Sequence, residues 1–120
     1  MELFGKLFSR PYQSVSVQGA QALLDDGAVL VDVRSNQEWN AGHAPAARHL
    51  VLETLHEHTG GLRHGTAIVT ICRSGMRSAS AARVLVAKGF SVATVKGGMF
   101  AWQRSGGRVV AKNGRDGVVM

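Results

Sequence analysis

Apolar residues come in short bursts separated by polar turns, and the two densest bursts, 28–33 and 67–71, are nearly continuous. A short unbroken apolar run bounded by turn signals reads as a strand covered on both faces. That is the pattern of a parallel sheet, not of a half-exposed hairpin. Ala28 to Val33, closed by Asp32, predicts one such strand, and Ala67 to Ile71 predicts a second. Ser91 to Val95 predicts a third, with Ser14 to Val17 and Ala47 to Leu50 as shorter candidates. Helix patterns lie between them: Gln18 to Asp26 before Gly27, Asn36 to Ala41 before Gly42, Leu52 to Thr59 before Gly60-Gly61, and Ser78 to Lys88 before Gly89. Glycine just past a helix end supplies the left-handed C-terminal cap. Phe90, beyond Gly89, is placed to pack back on Leu85, and Gly97-Gly98 opens a last short helix through Trp102.

Alternating strands and helices predict an α/β fold with a mostly parallel sheet and right-handed crossovers. Ligands of such sheets bind beyond the carboxyl ends of the strands. The length of 120 residues suits one domain. Its expected span is 14–105, after a short leader over 1–13 and before a polar, mobile tail over 106–120 in which Val118 to Met120 could dock. The leader carries Leu3, Phe4, Leu7 and Phe8 around Lys6. It is too short for a secretory apolar region or a membrane-surface helix, and reads as a flexible leader or a first turn packed on the domain.

Composition narrows the function. No stretch approaches the length of a membrane span. With no export signal and a reduced cysteine, the expected compartment is cytoplasmic. The net charge of +6 brings nucleic acid into consideration. The arginines are spread along the chain, however, and aromatic residues make up only 6%, so the charge reads better as serving small anionic substrates or an acidic partner protein. The single cysteine excludes an intrachain disulfide framework and cysteine-based zinc clusters. His43, His49, His56, His58 and His64 show no metal-ligand spacing, so no metal and no cofactor are expected.

That cysteine, Cys72, ends the apolar run 67–71 and precedes the helix pattern. A thiol between a strand end and a helix start meets free backbone N–H groups and the positive end of the helix dipole, both of which favour negative charge on sulfur. The intervening loop is Cys72-Arg73-Ser74-Gly75-Met76-Arg77, followed by Ser78. Gly75 allows the curl that makes peptide N–H groups converge into an anion nest. Arg73 and Arg77 are placed to attract an oxyanion. A buried structural cysteine would need none of these neighbours. Asp32, Arg34 and Glu38 read as a structural ion pair or helix cap near the site, with orientation of the cysteine loop as the alternative. Trp39 and Trp102 read as packing residues.

Three stretches together resemble the single-domain rhodaneses, a family of thiosulfate-type sulfurtransferases. They are Leu30-Val31-Asp32-Val33-Arg34 with Glu38-Trp39 and Gly42-His43, the loop Cys72 to Ser78, and Val95-Lys96-Gly97-Gly98-Met99-Phe100-Ala101-Trp102. The likeness covers roughly residues 14–104. One departure is Ala44-Pro45-Ala46-Ala47, where the family often has Ile-Pro-Gly-Ala, which puts the turn into the third strand in question. The resemblance implies about five parallel strands with helices on both faces. It implies a covalent cycle in which Cys72 takes sulfur from thiosulfate or a persulfide and passes it to cyanide or a thiol. Phosphatases and arsenate reductases of the related fold have a longer loop before their arginine, and Ser78 stands here where that arginine would be. The remaining alternative is a persulfide relay or partner-binding module that works with an acidic sulfur-carrier protein.

Overall fold

A computed structural model describes residues 11–120, so most of the expected leader lies outside the described residues. Five strands alternate with helices: β1 (Gln13–Val15), α1 (Val17–Asp25), β2 (Val29–Asp32), α2 (Asn36–Ala41), β3 (Arg48–His49), β4 (Ile68–Ile71), α3 (Met76–Ala87), β5 (Val92–Val95) and α4 (Gly98–Arg104). They form one sheet in the order β1-β5-β4-β2-β3, with every neighbouring pair parallel. The α/β class and the five parallel strands are as expected from the sequence.

The side-chain alternation of β4 divides the core. Ile68 joins Val31, Val33, Leu55, Ala81, Ala82 and Leu85 on one face, under α3. Val69 and Ile71 join Leu30, Val17, Ala20, Val95, Met99 and Trp102 on the other, under α1 and α4. Both faces are covered, which is why the strands read as near-continuous apolar runs.

Cap chemistry sets the helix ends. In α3 the Phe90 N–H donates to the Leu85 carbonyl at 3.0 Å and the Gly89 N–H to Val86 at 2.9 Å, with Gly89 at φ +95°. This is the Schellman arrangement, and it returns Phe90 to the core beside Leu85. Two helices depart from the sequence pattern. The run 52–59 contains one turn of 3₁₀-helix at Leu52–Thr54, after which Leu55 turns fully into the core. Helix α3 begins at Met76, before the predicted start at Ser78, for a reason that belongs to the site.

The turn Ala44 to Ala47 closes with a hydrogen bond from the Ala47 N–H to the Ala44 carbonyl at 3.0 Å. Among the described residues no non-glycine residue has a positive φ, so this turn does not require the family's glycine.

Residues 106–120, for which the sequence predicts a mobile tail, have partners in the structure. His43 and Val110 exchange backbone hydrogen bonds at 2.9 and 2.8 Å, and the Val118 N–H donates to Ala41 at 2.9 Å. Val109 is buried in the α1/α4 side of the core. Gly42 lets this segment pass close: a Cβ there would clash with the Val118 backbone.

Candidate active site

Strand β4 is the central strand, and Cys72 follows its last residue. The cysteine is 1% exposed and lies at the floor of the loop that leads to α3. Two backbone N–H groups point at its sulfur, from Gly75 at 3.1 Å and from Ser78 at 3.2 Å. The second contact explains where α3 starts. Gly75 is the N-cap, at φ +127°, and has no side chain to accept the N–H of Ser78 three residues on. The Cys72 sulfur takes the place of the missing cap. The Ser78 hydroxyl donates to the Gly75 carbonyl at 3.0 Å, and the Thr70 hydroxyl donates to the Ser78 carbonyl at 2.9 Å. Strand, loop and helix start are thus tied together around the sulfur.

A second wall comes from α4. Its Met99 N–H donates to the Cys72 carbonyl at 2.7 Å and its Phe100 N–H to the Arg73 carbonyl at 3.3 Å. Such close approach requires Gly98, where a Cβ would clash with the Cys72 carbonyl oxygen and stand 2.6 Å from that of Arg73. The Gly97-Gly98 pair, which the sequence offers as a helix opener, is therefore also the seat of the cysteine loop.

The loop arginines have protein partners. Arg77 donates from both terminal nitrogens to Glu38, at 2.6 and 2.9 Å. Glu38 also accepts the Ser35 N–H at 3.2 Å and the Ser35 hydroxyl at 3.0 Å, while the Ser35 hydroxyl accepts the Glu38 N–H at 3.2 Å. Ser35 and Glu38 thereby form the capping box of α2. The Arg77 hydrogen bonds hold the Glu38 carboxyl down to about 2, with the Ser35 donors assisting and burial opposing. The same pairing raises Arg77 further above its ordinary value. Arg73 lies over the Phe100 ring, 4.9 Å from its centroid, and donates its Nε to the Met120 carbonyl. Ser74 and Met76 are exposed on the loop.

Asp32 and Arg34 form a separate, fully buried pair. Arg34 donates Nε to Asp32 Oδ1 at 2.9 Å and Nη2 to Oδ2 at 2.7 Å, and Nη2 also reaches the Gly42 carbonyl at 2.7 Å. This pair bolts β2 to the end of α2. Of the supporting trio, then, Asp32 and Arg34 act on the scaffold, whereas Glu38 both caps α2 and grips the loop. Ser35 completes that grip. The Ser-x-x-Glu spacing is the signal that identifies it in the sequence. Three of the five histidines take packing positions: His43 and His49 stack on Trp39 at centroid distances of 3.6 and 4.7 Å, and His64 stacks on Phe90 at 4.1 Å, whereas His56 and His58 are exposed.

This architecture has known relatives. The Rhodanese-like domain family model matches residues 16–105. A rhodanese-related protein from Thermoplasma volcanium is 26% identical, with a TM-score of 0.77 over 84% of this chain and 100% of that one. The reduced CoADR-RHD protein of Bacillus anthracis is 27% identical with a TM-score of 0.70 over 77% of this chain. The match spans only 16% of that larger protein. A Rhodopseudomonas palustris protein of unknown function, described as a possible tyrosine phosphatase, is 27% identical with a TM-score of 0.69 over 80% of this chain and 83% of that one.

Proposed function

The chain belongs to the rhodanese-like domain family, and on that premise we propose that it is a sulfurtransferase working through a persulfide on Cys72. The Cys72 thiolate attacks the outer sulfur of thiosulfate or of a persulfide, and sulfite or a thiol leaves. A thiophilic acceptor, cyanide or a thiol, then takes the sulfane sulfur and regenerates the thiolate. The observation that carries this reading is the pair of N–H groups from Gly75 and Ser78 on one sulfur, at 3.1 and 3.2 Å, at the start of a helix. Backbone donors fixed around the sulfur can stabilise the negative charge that develops during sulfur transfer. The chemistry needs no cofactor. Among the described residues no helix is long and apolar enough to cross a membrane. We place the protein in the cytoplasm, where its thiol stays reduced.

Intact mass spectrometry before and after incubation with thiosulfate is the direct test. A gain of one sulfur atom on Cys72, discharged by cyanide with formation of thiocyanate, is the expected result. A Cys72→Ala protein that still forms thiocyanate at full rate would overturn the assignment.

A second reading is a relay fed by another protein. It draws on the apolar side chains near the loop, where Met76 is 83% exposed and Met120 41%. No thiocyanate from thiosulfate and cyanide, together with sulfur gain from a persulfidated protein, would select the relay.

A further inference from the structure

Both arginines of the cysteine loop are engaged by other parts of the chain. Arg77 is paired with Glu38 through both terminal nitrogens, at 2.6 and 2.9 Å. Glu38 is itself fixed by Ser35, whose hydroxyl donates to the same carboxylate at 3.0 Å. Arg73 is drawn out over Phe100 and onto the Met120 carbonyl. Beside the exposed Ser74, three solvent-facing side chains next to these arginines are apolar: Met76, Phe100 and Met120 are 83%, 37% and 41% exposed. Lys96, after β5, is an exposed cation at the same end of the sheet, and no hydrogen bond directs it to the loop.

Thiosulfate is a dianion whose sulfonate oxygens call for unshared cations or N–H donors. An arginine already paired with a carboxylate offers nearly the field of a neutral dipole. An organic persulfide, R–S–SH, has no sulfonate to hold. Its carbon portion is suited to an apolar rim.

We propose that Glu38 is a specificity-determining residue: by holding Arg77 it turns the site away from thiosulfate and toward organic persulfides as sulfur donors. This rests on the sulfurtransferase reading above and selects between its donors. In the loading step the Cys72 thiolate attacks the outer sulfur of R–S–SH. The new Cys72 sulfur–sulfur bond forms as the bond within the donor breaks. The bonding pair leaves on R–S⁻, which takes up the proton of the transferred sulfur. The products are the Cys72 persulfide anion and R–SH, with no oxidant or reductant consumed.

The test measures the donor concentration that loads half of Cys72 within a fixed time too short for reverse transfer, read by intact mass, for thiosulfate and for glutathione persulfide. Four proteins are compared: wild type, E38Q, R77A and the double variant E38Q/R77A. The Gln side chain keeps an oxygen for the Ser35 N–H, so α2 retains its cap. The wild type is expected to load at about tenfold lower glutathione persulfide than thiosulfate. E38Q is expected to lower the thiosulfate value by roughly five- to tenfold, and adding R77A is expected to abolish that gain. Damage to the fold would raise the values for both donors, whereas release of Arg77 lowers one. An unchanged or raised thiosulfate value in E38Q, or a wild type that prefers thiosulfate, overturns the role of Glu38 while leaving sulfur transfer intact. If neither donor adds sulfur to wild-type Cys72, the sulfurtransferase reading falls and this inference falls with it.

Discussion

The backbone N–H of Ser78 donates to the sulfur of Cys72 at 3.2 Å, so the proposed nucleophile is also the N-terminal cap of α3. On the proposed function, sulfur transfer and folding draw on the same contact, and the two can be separated by choice of substitution. Cys72→Ser keeps an acceptor near the Ser78 N–H, whereas Cys72→Ala removes it. Loss of a cap costs about 1 kcal/mol, or roughly 4 °C in Tm for a domain of this size. Both variants are expected to gain no sulfur from any donor. Thermal denaturation is expected to show Cys72→Ala melting below Cys72→Ser by about that margin. Equal melting temperatures would mean that the sulfur does not cap the helix.

Gly98 supports the loop from the other side. It has φ +56°, and any Cβ there meets the carbonyl oxygens of Cys72 and Arg73. Gly98→Ala forces α4 away and loosens the bonds from Met99 and Phe100 to those carbonyls. Backbone strain of this kind is worth roughly 1–3 kcal/mol. The expected outcome is a folded protein with lowered Tm and a sulfur-loading rate reduced by on the order of tenfold or more. A Gly98→Ala protein with wild-type loading kinetics would show that the α4 wall is not needed to hold the loop.

Much of this arrangement is legible in the sequence where the determinant is local. The buried strands around Val31 and Val69 follow from apolar runs, and the bounds of α2 from Asn36 to Ala41 follow from its neighbours. The Gly89-Phe90 cap is likewise local. The start of α3 is not, because no side chain of a usual capping residue marks it and the acceptor is a sulfur on the preceding strand end. The run after Leu52 has helical composition, but burial of Leu55 bends it after one turn. The pairing of Arg77 with Glu38 joins residues on different elements, and neither spacing nor periodicity announces it. Docking of 106–120 runs largely through backbone hydrogen bonds at 40–43, which leave no side-chain pattern to read.

The Glu38–Arg77 pair gives stability a defined acid limit. The carboxyl titrates near 2 in the folded chain against an ordinary 4.5, chiefly because of the Arg77 hydrogen bonds. A depressed folded value means the unfolded chain binds the proton first as pH falls. The contribution is therefore complete above 4.5 and is lost as pH drops toward 2. Arg77 is 36% exposed, so solvent and salt reduce the effect. Denaturant unfolding of wild type and E38Q is expected to show a stability gap at neutral pH that narrows through this window. A gap that stays constant down to about pH 3 would remove the pair from the stability of the fold.

The final prediction concerns phosphate chemistry, which the description of the Rhodopseudomonas palustris relative brings into view. Four residues separate Cys72 from Arg77, and the next position is Ser78, buried with its N–H on the sulfur. A phosphoryl group held over Cys72 would need an arginine at the loop's end to bind its oxygens. Arg77 is instead bound to Glu38, and its recruitment would require breaking a bidentate pair. Para-nitrophenyl phosphate is therefore expected to be hydrolysed no faster by the wild type than by Cys72→Ser, and E38Q is expected not to create the activity. Phosphatase turnover that depends on Cys72 would show that this short loop can close around a tetrahedral oxyanion, and would reopen the choice between sulfur and phosphate.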